Sequence, residues 1–136
     1  MGLSLTANAD SQIDPAAYYV DKDHPAANNA NDGSSSQPWL TIQHGVNQLK
    51  PGNTLYVRKS VIPYFEPYRA SGGNTGGVII NVRGSKDERI IISGFPGEVP
   101  IINQQRAKSS LKASDGSPDS SPKSLSGFYV ANADYI

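Results

Sequence analysis

The 136-residue sequence contains no cysteine, one methionine and one tryptophan. Without cysteine there is no disulfide framework, no thiolate metal site and no thiol redox chemistry. Charge of one sign is lacking as well. Twelve Lys plus Arg balance twelve Asp plus Glu, so no field draws in nucleic acid or an anionic membrane, and neither is expected as a partner. No apolar run approaches the roughly 20 residues that a membrane-spanning helix requires. Charged residues make up only 18% of the chain, whereas 13 Gly and 10 Pro, with many Ser and Asn, separate short apolar runs. That punctuation belongs to strands joined by turns, so an all-β fold is expected.

Strand-like runs occur at 18–20, 54–58, 77–82, 89–93, 99–102 and 127–130. Val78, Ile79 and Ile80, like Ile90, Ile91 and Ile92, are continuous rather than alternating, which suits strands covered by similar strands above and below. Leu55, Ile79 and Ile101 recur at 24 and 22 residues, with Ile91 between the last two. This spacing predicts a coil with more than one strand per turn. One helix stands out, with Thr41 as N-cap, Ile42, Val46 and Leu49 on one face, and Pro51-Gly52 as its stop. At about two turns it cannot hold itself together in water, so with Trp39 it should lie as a lid on a sheet end.

Between these elements, 24–38 reads as an ordered surface loop around Asn31-Asp32-Gly33, and Pro96-Gly97 fits the centre of a type II turn. Residues 107–126, with Leu111 and Leu125 as their only sizeable apolar groups, read as an exposed polar insertion. Residues 1–17 read either as the remnant of a signal peptide, because Ala7-Asn8-Ala9 has the small-residue pattern of a processing site, or as a disordered start, because the basic and apolar regions of such a peptide are missing.

Four segments taken in order resemble the N-terminal part of right-handed parallel β-helix proteins of the pectate lyase-like superfamily. They are Tyr18-Tyr19-Val20 with its Gly/Ser-rich loop, Pro38-Trp39-Leu40-Thr41-Ile42-Gln43, Leu49-Lys50-Pro51-Gly52-Asn53-Thr54-Leu55-Tyr56-Val57-Arg58, and Ile91-Ile92-Ser93-Gly94-Phe95-Pro96-Gly97-Glu98. Gly127-Phe128-Tyr129-Val130 and the residues after it are similar to the family segment that opens the next coil. The likeness runs from Tyr18 to Ile136. It departs after Arg58, where the family continues with a Gly and an aromatic turn and this chain has Lys59-Ser60-Val61-Ile62-Pro63-Tyr64-Phe65-Glu66, so the geometry of the first coil does not carry over.

The resemblance implies a right-handed parallel β-helix, an all-β solenoid with a short N-terminal capping α-helix, truncated within residues 18–136 before its catalytic coils. It also implies a secreted, monomeric, polysaccharide-degrading parent that cleaves uronate-rich, pectin-like polymer by β-elimination. Calcium would be the cofactor of the full-length parent, with none in this segment. Non-catalytic glycan-binding or adhesion proteins share the same cap and form the alternative; a complete small β domain, such as a sandwich carbohydrate module, is a third reading.

β-Elimination requires a base at the carbon α to the uronate carboxylate, with calcium or a basic residue to stabilise the developing charge. No cluster of that kind is named here, and catalytic and substrate-binding residues stay unassigned. Asp21-Lys22-Asp23 with Asn29, Asn31 and Asp32 is the nearest to a metal pattern, yet it lacks the Gly and terminal Glu of an EF-hand loop and reads as Asx turns. His24 sits in a loop before Pro25, and His44 lies on the polar side of the helix. Tyr56, Tyr64, Phe65 and Tyr68, near Arg58 and Arg69, are candidates for stacking on sugar rings, although sealing the end of a core is the plainer role for such residues.

Overall fold

The computed structural model describes residues 16–66, 69–71, 74–103, 126–130 and 133–136. The elements in chain order are β1 (Ala17–Val20), α1 (Ile42–Gln48), β2 (Thr54–Val57), β3 (Tyr64–Phe65), β4 (Arg69–Ser71), β5 (Asn74–Ile80), β6 (Ile91–Gly94), β7 (Ile102–Asn103) and β8 (Ser126–Val130). Among the described residues the regular structure is thus mostly strand with one helix, as composition predicts. The proposed signal remnant lies outside the described residues except for 16 and 17, as does the polar insertion apart from Ser126, and Tyr68 lies outside them too.

Parallel pairing dominates. In one sheet β2 sits between β1 and β6, with Tyr18, Leu55 and Ile92 in one register column and Val20, Val57 and Gly94 in another. Each step along a column is 37 residues. A second sheet pairs β3 with β7 in parallel, Tyr64 beside Ile102, a step of 38. The third places β5 between an antiparallel β4 and a parallel β8, where Val78 meets Phe128 after 50 residues. The chain therefore visits the sheets in turn and returns to each one a strand further on. The surplus in the third step falls between β7 and β8.

This geometry shows what the expected spacing measures. Leu55 lies in β2 and Ile79 in β5, two different sheets, while Ile101 just precedes β7. Their spacing of 22 and 24 residues measures the distance from one sheet to another and not a full return. More than one strand per turn is what the registers display. The run expected at 99–102 contributes only Ile102–Asn103, and Val99 and Ile101 are exposed. The departure after Arg58 acquires a role, because Tyr64–Phe65 becomes β3 and starts the second sheet.

The core gathers between the sheets and under α1. Val20, Leu55 and Val57 from the first sheet meet Tyr64, Val78, Ile80 and Ile90, and α1 adds Ile42 and Val46 with Leu49 at its C-cap. Fully burying such a side chain stabilises by about 1.5–3 kcal/mol, which is how a seven-residue helix becomes worth forming. Thr41 is its N-cap, with extended backbone and a side-chain oxygen that accepts from the His44 N–H. Gly45 faces the sheet, where an added Cβ would stand 2.9 Å from a Val20 methyl. A side chain there would push the helix off its seat. The Pro96-Gly97 turn forms as expected: Gly97 has φ +78° and the Glu98 N–H reaches the Phe95 carbonyl at 2.9 Å.

Candidate functional site

The flank of the first sheet brings together two of the aromatic and basic residues singled out in the sequence, Tyr56 and Arg58. Alternation along β2 sends Leu55 and Val57 into the core and leaves Tyr56 half-buried on the outer face. Tyr56 lies beside the buried Tyr19, ring centroids 5.9 Å apart, and meets Phe95 edge-on at 5.7 Å. Arg58 holds its guanidinium 4.3 Å from the Phe95 ring centre, a cation–π contact. Its Nε and Nη2 form a fork on the Glu98 carboxylate at 2.8–3.1 Å, and the Lys59 N–H donates to the same carboxylate at 2.7 Å. These bonds hold Glu98 below the usual glutamate range and raise Arg58. Partial exposure screens the ion pair, so its main effect is to fix the turn after β6 against the chain leaving β2.

The other aromatic candidates do not join this face. Tyr64 points inward, buried, with its hydroxyl donating to the carbonyls of Arg58 at 2.8 Å and Val20 at 3.3 Å. Burial raises its pKa well above the ordinary tyrosine value, which removes it from acid–base use near neutrality. Phe65 is exposed on β3, in a different sheet.

The acidic loop resolves into structural bonds. Asp21 accepts from the Asp23 N–H, while Asp23 accepts from the Ser60 hydroxyl and the Val61 N–H and so ties two loops together. Those bonds lower the Asp23 pKa, the Val61 N–H contributing most. Asn29 accepts from the N–H groups of Leu40 and Thr41, and Asp32 from that of Ser34. Among the described residues no three His, Cys, Asp or Glu side chains are placed to hold a metal ion. His24 accepts from the Ala26 N–H through Nδ1, and His44 packs edge-on against Trp39, centroids 5.6 Å apart.

Sequence reading missed two residues that organise this region. Glu98 lies 40 positions from Arg58, and Phe95 comes to the flank through a turn whose only sequence signal was Pro96-Gly97. Neither pairing leaves a local pattern.

The class defined to this point is a mostly β protein of parallel sheets under one capping helix. No family model and no curated protein matches the chain. Among solved structures, a GH136 lacto-N-biosidase from Eubacterium ramulus is similar over 68% of this chain, with 25% sequence identity and a TM-score of 0.43. The match takes in 12% of that protein's length. So loose a likeness identifies no activity.

Proposed function

We propose that this chain forms the capped opening coils of a right-handed parallel β-helix protein that handles polysaccharide. The observation that carries this reading is the pair of successive 37-residue returns in β1, β2 and β6. Parallel strands in one sheet joined by crossovers are right-handed in about 98% of cases, which supplies the hand. The flank of such a coil is a place for an extended polymer to lie. Tyr56, half-buried beside Phe95, offers an apolar ring surface to a sugar chain, with the paired Arg58 and Glu98 alongside as polar groups. A secreted parent that cleaves uronate-rich polymer by β-elimination, with calcium, is the particular chemistry that the resemblance to pectate lyase-like proteins adds.

A non-catalytic glycan-binding or adhesion role is favoured for these residues themselves by one observation. Asp21, Asp23, Asp32 and Glu98 all accept hydrogen bonds that shape turns and loops, as a scaffold requires. Affinity electrophoresis of the chain through gels with and without polygalacturonate tests the flank, alongside ultraviolet assay for unsaturated uronide. Retardation by polygalacturonate without uronide release is expected, weakened severalfold by Tyr56→Ala. Equal mobility in both gels would remove the flank reading.

A further inference from the structure

A cavity of about 350 Å³ opens at the capped end, lined by Tyr18, Asn29, Asn31, Asp32, Trp39, His44, Gln48 and Lys50. We infer that it binds a neutral pyranose unit of a saccharide. The site shares no residue with the flank and does not rest on the reading given to it.

Three features carry the inference. The first is an apolar wall. Tyr18 and Trp39 are stacked with centroids 5.2 Å apart and planes within 12°, and His44 stands edge-on to the indole. Trp39 is only 4% exposed, so the cavity meets the edge of this stack, an apolar boundary with little conformational entropy to lose. The second is a rim of hydrogen-bonding groups. Among the described residues, the side chains of Tyr18, His44, Gln48 and Lys50 have no hydrogen-bond partner in the protein. The Asp32 carboxylate, engaged on one side by Ser34, is exposed at the same opening. Vicinal hydroxyls need this mixture of donors and acceptors, and the opposite charges of Asp32 and Lys50 give no net preference for an ionised sugar.

The third feature is rigidity. Asn29 bonds the backbone of Leu40 and Thr41 and the Thr41 hydroxyl, while Asn31 bonds the carbonyls of Ala26 and Pro38. The Trp39 indole N–H is held by the Asn31 carbonyl at 2.8 Å. Gly33 brings the loop against the indole, since a Cβ there would lie 2.6 Å from the ring at φ +81°. Walls fixed before binding lower the ordering cost of a ligand. The volume sits at the low end of small-molecule sites, about 300–1,000 Å³, as a one- or two-sugar ligand requires.

Trp39 is the single tryptophan of the chain and lies in the wall of this cavity, so its fluorescence reports on that wall. Titrating the full chain with the methyl glycosides of galactose, glucose and N-acetylglucosamine, and with galacturonate, should give a saturable change for at least one neutral sugar. A dissociation constant on the order of 1 mM is expected for so small a ligand, with galacturonate no tighter. Gln48→Ala and Asp32→Asn should each weaken binding about threefold to tenfold with an unchanged circular-dichroism melt, because Gln48 is exposed and Asn retains the turn to Ser34. No saturable change with any neutral sugar, or the same constant in both variants, overturns the inference. Gel retardation by polygalacturonate involves none of these residues, so either proposal can fail alone.

Discussion

The two ends of the strand stack are built from similar residues and finished differently. At the capped end the outer edge of β1 is occupied: Tyr19 N–H bonds the Gly33 carbonyl, Trp39 N–H bonds the Tyr19 carbonyl, and Asp21 N–H bonds the Trp39 carbonyl. Beyond the stretch of β5 that β4 pairs, an amide takes the place of a strand, since Gln43 accepts from the Ile79 N–H at 2.8 Å and donates to its carbonyl at 3.0 Å. α1 covers the apolar ends between them. At the opposite end β6 and β8 are edge strands among the described residues, and Ile91, Phe128 and Val130 are exposed. Open edges are templates for further strands, so among the described residues one end of the stack is closed and the other is not.

The sharpest way to break this contrast is Trp39→Ala. The indole is 4% exposed, stacked on Tyr18 and bonded to Asn31. Truncating a buried aromatic costs about 3–5 kcal/mol. Urea denaturation followed by circular dichroism should register a loss of that size or a chain that no longer folds. A loss below about 1 kcal/mol would mean that the cap is not what holds the stack.

Gln43→Leu tests the amide at the edge of β5. The substitution keeps the bulk but leaves the Ile79 N–H and carbonyl without their side-chain partner, at a cost of about 2–3 kcal/mol. Amide hydrogen exchange should rise at Ile79 before it rises in β2. Unchanged exchange there would show that another group covers this edge.

Much of the capped end was legible locally. Thr41, Ile42, Val46 and Leu49 stand at helix spacing within nine residues, and Trp39 is adjacent, so cap and lid could be read together. Pro96-Gly97 announced its turn in the same way. The spacing did not give the length of a turn for a physical reason: Leu55 is buried and Ile79 half-buried, both are β residues, and apolarity does not record which sheet a strand joins. Nothing local marked the role of Gln43, because its partner lies 36 positions away. The same distance effect hid the cavity at the cap, whose lining runs from Tyr18 to Lys50 with no motif. β3 escaped notice because two residues carry no alternation to detect.

The smallest effect belongs to the open end, and it sharpens the contrast from the other side. Ile91 stands in the same β6 that continues the columns of β1 and β2, yet it is 51% exposed. With half its surface already in water, Ile91→Ser should change urea stability by no more than about 0.5–1 kcal/mol, a fraction of the Trp39→Ala loss. Two large apolar residues then differ in weight because Trp39 is covered and Ile91 is half in water, not because of their own propensity. A loss equal to that at Trp39 would place Ile91 under cover and make the two ends alike; a small one leaves β6 as a surface whose apolar face is available to another strand.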